Sequence, residues 1–175
     1  MLNPRHMERR AVASLFSLLL LAVAFSGCIA GGDGDSSGAT DDDNDSITYT
    51  YNWYDPTGTC GATPCDNNNH GTHTMGSIVG DDGGDNKIGV APGARWISAK
   101  GCGSNWCSSS HLLAAAQWIL APTDSAGENP DPTKRPHVVN NSWGGGGGNT
   151  WYRSMVDAWI AAGIFPVFSN GNSGP

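Results

Sequence analysis

The feature that most constrains this chain's fold is an alternation of two hydrophobic periods across residues 96 to 169. Trp96-Ile97-Ser98-Ala99-Lys100 is a short, largely apolar run after Ala91-Pro92-Gly93, and it reads as a buried strand. In the following stretch, Leu112, Ala115, Ala116 and Ile119 recur at three- and four-residue spacing. This predicts a helix from Ser108 to Leu120, capped by Ser108, Ser109 or Ser110 and stopped by Pro122. Val138 to Ser142 returns to strand character. A second helix is expected after Asn149, which can cap it, with Trp151, Met155, Ala158, Trp159 and Ala162 on one face and Gly163 ending it. Ile164 to Ser169 is a third strand, although Pro166 is unusual in a central one. Strand, helix, strand, helix, strand requires right-handed crossovers between parallel strands. The expected class is therefore α/β, a parallel sheet with helices on its faces. Sites in such sheets lie beyond the carboxyl ends of the strands. Gly101, Ser142 to Gly148 and Asn170 to Gly174 fall there.

Upstream, Asn69-His70-Gly71-Thr72-His73-Thr74-Met75-Gly76 reads as the start of a helix that ends near Gly80. Histidine is the side chain whose ordinary pKa lies nearest neutrality, which suits a general base. The neighbouring Gly71 lets another chain approach closely. Residues 47 to 54 (ITYTYNWY) are β-prone and aromatic, expected as an edge strand or packing segment. Asp55 to Pro64 and Asp81 to Asn86 read as loops.

The amino-terminal part differs in kind. Arg5, Arg9 and Arg10 precede an apolar run from Ala11 to Phe25 that is too short to span a bilayer comfortably. Ser26-Gly27-Cys28 follows and resembles the lipobox of bacterial lipoproteins, in which the cysteine is acylated and becomes the mature amino terminus. Residues 1–27 are accordingly expected to be a lipoprotein-type signal peptide, and the mature protein exported, either membrane-anchored through Cys28 or extracellular. Residues 28–46 hold six aspartates among Gly and Ser, a composition that buries no core and reads as an acidic flexible linker. Residues 47–175 form the remaining unit. With 9 basic and 16 acidic side chains, the chain lacks the basic face of a nucleic-acid binder, so none is expected as partner.

Export permits disulfides. Beside Cys28, the chain has Cys60, Cys65, Cys102 and Cys107, two C-x4-C pairs that allow three connectivities. The two local bridges are preferred because each closes a short loop. A four-cysteine zinc site is the rival, disfavoured by the loose spacing and the oxidising compartment. The expected metal set is none.

His70, the glycines after Ser142 and the amide of Asn172 together supply a base, an exposed backbone edge and a hydrogen-bond donor, the parts needed for acyl transfer at a peptide bond. His70-Gly71-Thr72-His73 resembles the histidine motif of the subtilisin-like serine peptidases. Ile88 to Ala94 (IGVAPGA), Val138 to Gly145 (VVNNSWGG) and Phe165 to Asn172 (FPVFSNGN) resemble further segments of that family in the correct order. Asn52-Trp53-Tyr54-Asp55, Trp118 to Pro122 and Trp151-Tyr152-Arg153 are similar to its bacillopeptidase F-like subgroup.

The resemblance implies a three-layer subtilisin-like fold and a serine endopeptidase acting on protein or peptide substrates through an Asp/His/Ser triad. It implies His70 as general base and Asn172 as oxyanion-hole donor, with His73 structural. Ser142, Trp143, Gly144 and Gly145 would line the edge that pairs with extended substrate, Gly145 leaving room for a substrate side chain. Gly103 to Asn105 would face the substrate from the other side, stiffened by a Cys102–Cys107 bridge. No cofactor is needed for the chemistry, and calcium enters only as a structural ion with no assignable ligands.

Two triad members are missing. The family's acid ends an early strand in an Asp-Ser/Thr-Gly motif, and nothing between Cys28 and His70 matches it. Asp55 belongs to the Trp-Tyr-Asp segment instead. The nucleophile's Gly-Thr-Ser-Met-Ala motif does not occur in the 175 residues, and Ser142, Ser169 and Ser173 occupy other positions of the family pattern. The expectation is a partial peptidase domain in a chain that looks truncated and is inactive alone. The alternative is a non-catalytic exported lipoprotein that binds extended peptides.

Overall fold

A computed structural model of the chain describes residues 20–25, 49–85 and 88–172. Five parallel strands form one sheet in the order β2-β3-β1-β4-β5, with β1 at Leu20–Phe25, β2 at Trp53–Tyr54, β3 at Arg95–Lys100, β4 at Val138–Asn141 and β5 at Phe165–Phe168. Among the described residues three α-helices accompany them: α1 at His70–Val79, α2 at Ser109–Leu120 and α3 at Arg153–Ala161.

Side-chain alternation along the strands sorts the helices onto two faces. Ile97, Ala99 and Val139 pack with Leu112, Ala115, Ala116 and Ile119 of α2 and Trp159 of α3. On the other face Met75 of α1 packs against Trp96 and Val138. The result is helix, sheet, helix, the three-layer α/β class that the alternation of periods predicts.

Local chemistry accounts for the element ends. The Ser108 hydroxyl accepts from the His111 amide at 3.1 Å and caps α2. At the end of α3, Gly163 takes φ 79°, its amide donates to Ile160 O at 3.0 Å, and the Ile164 amide donates to Trp159 O at 2.9 Å. This pair of reversed bonds needs a left-handed residue, which glycine adopts without a Cβ penalty. A Cβ on Gly89 would strike Gly80 N and the backbone of Val79, so only glycine lets residues 88–91 run against the end of α1. Pro166 is accommodated because β5 is an edge strand. Phe165 N and Ser169 N donate to His137 O and Asn141 O of the β4 segment, so alternation turns the Pro166 nitrogen to the open side.

Two features depart from the sequence reading. The second helix begins at Arg153, later than a cap at Asn149 implies. Asn149 Oδ1 accepts from the Trp151 amide at 3.3 Å and so shapes a turn one step ahead of the helix. Tyr152, absent from the expected apolar face, is buried between Trp143 and Trp159, at ring-centroid distances of 4.8 Å and 5.6 Å. Burial pushes its phenol pKa up.

The larger departure is β1. It pairs in parallel with β3 over six residues and with β4 over four, inside the stretch whose composition reads as an export leader. An apolar run of this length, bounded by Ser-Gly, carries the same pattern whether it is a leader core or a strand buried on both faces. Residues 1–19 and 26–48 lie outside the described residues. They include Cys28 with the Ser26-Gly27 expected as its lipobox and the whole of the acidic linker expected at 28–46.

Candidate active-site edge

His70 is the first residue of α1, and Asp66 and Asn68 ahead of it hold that helix start in place. Asn69 turns into the left-handed region at φ 64° and makes no side-chain cap. Asp66 takes over the capping. Its Oδ1 accepts from the Asn68 and Asn69 amides at 3.2 and 3.0 Å, and its Oδ2 accepts from the Thr72 amide at 2.8 Å and the Thr72 hydroxyl at 2.7 Å. Burial opposes the charge on Asp66. The Thr72 bonds, and after them the Asn68 and Asn69 amides, outweigh burial and hold its pKa below the ordinary 3.8. The negative carboxylate also sits at the positive end of the helix dipole.

Asn68 joins this helix start to the next loop. Its Oδ1 accepts from the His70 amide at 3.1 Å, while its Nδ2 donates to Ser104 O at 3.0 Å. Ser104 lies in the loop that leaves β3, where Cys102 and Cys107 are bonded and the Gly103 amide donates to Trp106 O at 2.8 Å. His70 is thus tied, through one side chain, to a braced loop at the carboxyl end of β3. His70 itself is exposed and Gly71 beside it is buried.

Asp55 plays no part at that histidine. Oδ1 holds the Thr57 amide and hydroxyl at 2.9 and 2.6 Å, and Oδ2 holds the Cys60 and Gly61 amides at 2.7 and 3.1 Å. Burial opposes its charge, and these bonds overcome it, so the pKa is lowered. Both oxygens are committed to the loop that the bonded Cys60 and Cys65 also close.

A second group forms beyond β4 and β5. The Ser142 hydroxyl accepts from Asn140 Nδ2 at 2.7 Å. The Trp143 ring packs inward, edge-on to Tyr152 and to Phe168 at 4.8 Å and 5.8 Å, and is tilted against Trp151 at 6.1 Å. With that ring anchored, the chain emerges at Gly144 and Gly145, both exposed, and a Cβ on either would meet nothing within 4 Å. The Ser169 hydroxyl donates to Trp143 O at 3.1 Å and its amide to Asn141 O at 3.0 Å, which fastens the exit of β5 beside Ser142. Asn170 to Asn172 follow, exposed at the same edge. The Ser142 and Ser169 hydroxyls are each engaged within this group, and Ser173 lies outside the described residues.

The structure therefore brings the expected residues together in two pairs: His70 with the loop after β3, and Ser142 to Gly145 with the approach to Asn172. Between them in the sheet lies the end of β1. Two strand spacings separate β3 from β4, about 10 Å. Asp66 and Asn68 are positioning residues that the sequence reading passes over. Their signal is the run Asp66-Asn67-Asn68-Asn69, residue types that hydrogen-bond the backbone just ahead of a helix. Among the described residues no group of three or more His, Cys, Asp or Glu is arranged to hold a metal ion.

The chain is similar in sequence to several known proteins. The chain is 52% identical over 124 residues to bacillopeptidase F of Bacillus subtilis, a match that covers 70% of this chain and 8% of that protein. It is 32% identical over 110 residues to subtilisin DY of Bacillus licheniformis, covering 62% of this chain and 36% of the relative. Fervidolysin of Fervidobacterium pennivorans is 29% identical over 111 residues, 59% of this chain and 14% of the relative. The chain thus spans well under two thirds of the length of each of these proteins. The model of the subtilase family matches residues 3–175, and the chain belongs to that family of subtilisin-like serine peptidases.

Proposed function

We propose that this chain supplies the histidine-bearing and substrate-binding edge of an exported serine endopeptidase, and that on its own it binds extended peptides without hydrolysing them. The observation that carries the reading is the placement of His70. It is fixed at a helix start by Asp66 and linked through Asn68 to the loop after β3, on the carboxyl edge that Gly144, Gly145 and Asn172 share.

In this reading an extended peptide lies along Ser142 to Gly145 by strand addition, with open space beside Gly144 and Gly145. Asn172 donates to the carbonyl oxygen as charge develops on it, a contribution of about 3 kcal/mol where the rest of the machinery is present. His70 accepts the nucleophile's proton and returns it to the leaving amine. Calcium remains a candidate structural ion only, and a lipid anchor at Cys28 would hold the protein at a membrane surface.

Hydrolysis needs more than these groups. β1 ends at Phe25 and is followed by Ser26-Gly27. The position at which an Asp-Ser/Thr-Gly motif would supply the acid is therefore filled by phenylalanine. No serine in a Gly-Thr-Ser-Met-Ala motif occurs in the 175 residues. Without that nucleophile no acyl-enzyme forms. A second reading is a non-catalytic exported lipoprotein that captures extended peptides along Ser142 to Gly145, where the space beside Gly144 and Gly145 is open.

The test is casein hydrolysis by the purified chain and by His70→Ala. The expected result is no turnover from either. Turnover that His70→Ala abolishes would reveal a nucleophile outside the motif, and turnover that survives His70→Ala would overturn the assignment of the base.

A further inference from the structure

β3 and β4 do not pair with each other; each pairs with β1, which fills the space between them. The flanking strands are covered on both sides. Ile97, Ala99 and Val139 lie beneath α2 and α3, and Trp96 and Val138 lie against Met75 of α1. Without β1, the inner edges of β3 and β4 would face each other across a gap one strand wide, with their backbone donors and acceptors unpaired in an apolar setting. That is a template for strand addition. A strand buried on both faces needs a continuous apolar run, and Leu20-Leu21-Ala22-Val23-Ala24-Phe25 supplies one. The same six residues are the end of the apolar run that precedes Ser26-Gly27-Cys28.

We infer that the slot between β3 and β4 is a strand-acceptor site, that its built-in occupant is the chain's own Leu20–Phe25, and that cleavage ahead of Cys28 followed by withdrawal of that segment converts a self-filled slot into an open one. The occupant lies parallel to both neighbours, with Val23 opposite Ser98 on one side and Asn140 on the other. Export processing and completion of the sheet then compete for one segment. The processed form takes up an extended apolar peptide with the alternation of that segment, and it recovers the full sheet when it does. This inference rests on the export reading at Cys28 and not on the catalytic one, because it concerns the middle of the sheet and needs no histidine or nucleophile.

The test uses the full chain with a site-specific protease sequence replacing residues 36–40. The folded protein is cut, passed over a gel-filtration column and analysed by hydrogen exchange. The expected result is that the amino-terminal fragment stays bound and that amides of Arg95–Lys100 and Val138–Asn141 keep their protection. If the fragment is lost, those amides should exchange at least about tenfold faster. A synthetic peptide of residues 18–27 should then restore the protection, and the same peptide with Val23→Pro should not, because proline removes a ladder donor. Release of the fragment with no change at β3 and β4 would overturn the inference. So would a loss of protection that the unmodified peptide fails to reverse, or that the proline peptide reverses equally well.

Discussion

Removing the Asp66 carboxylate should loosen the start of α1 and with it the placement of His70. The carboxylate accepts four hydrogen bonds, two from loop amides and two from Thr72. Bonds to a charged group contribute about 1.5–3 kcal/mol each when desolvated, but Asp66 is only partly buried, so water screens them. Water can also replace it at the exposed Asn68 and Asn69 amides. What remains is the cap on the Thr72 amide and hydroxyl, so Asp66→Ala should cost about 1–2 kcal/mol, the usual range for a lost helix cap. At about 2–4 °C per kcal/mol for a chain of this size, the melting temperature should fall by roughly 2–8 °C. The pH dependence gives an independent sign. The folded pKa of Asp66 is depressed below 3.8, so its contribution is complete above that value and disappears as pH falls through the folded pKa. Asp66→Asn, which keeps the size but not the charge, should flatten the part of the stability profile below about pH 4. Thermal melts from pH 2 to 7 read both effects. An Asp66→Ala protein that melts within about 1 °C of the parent, or an acid limb that Asp66→Asn leaves unchanged, would refute the capping role.

Two further substitutions probe the frame behind the edge. Trp159 is fully buried and its Nε1 donates to Ala116 O at 3.1 Å, so Trp159→Ala should cost about 3–5 kcal/mol in urea unfolding. An effect below about 1 kcal/mol would mean that α2 and α3 do not share this core. Gly163→Ala forces a Cβ into φ 79° and should cost about 1–2 kcal/mol in the same assay, and a neutral result would contradict the left-handed turn at the end of α3.

The parts of the fold that can be read in the sequence are those where local period and burial agree. The positions spaced along α2 are the ones that reach the core, and the serine cap sits where a polar side chain meets the first unpaired amides. The strands at 95–100, 138–141 and 165–168 are short apolar runs between turn signals, and the proline in the last is tolerated because its nitrogen faces an open edge. β1 is not readable in this way, because apolar composition does not separate a leader from a strand in the middle of a sheet. The start of α3 is shifted because an asparagine that shapes a turn looks, in sequence, the same as one that caps a helix. At the candidate site, the resemblance draws attention to His70, Ser142 to Gly145 and Asn172. The supporting shell of Asp66 and Asn68 depends on bonds across loops, between residues 66 and 72 and between 68 and 104, which no periodicity encodes. Asp55 could be mistaken for the missing acid from proximity in sequence alone. Its four bonds within its own loop remove it.

The most direct test of the proposed peptide-binding edge is an NMR titration of the isotope-labelled full chain with a blocked, extended tetrapeptide. The account predicts saturable shifts confined to the Ser142 to Gly145 amides, the loop from Gly103 to Asn105 and the His70 ring, with no cleavage of the peptide. Shifts that cluster elsewhere, for example around Asp124 or the exposed Ile160, while these positions stay still would contradict it.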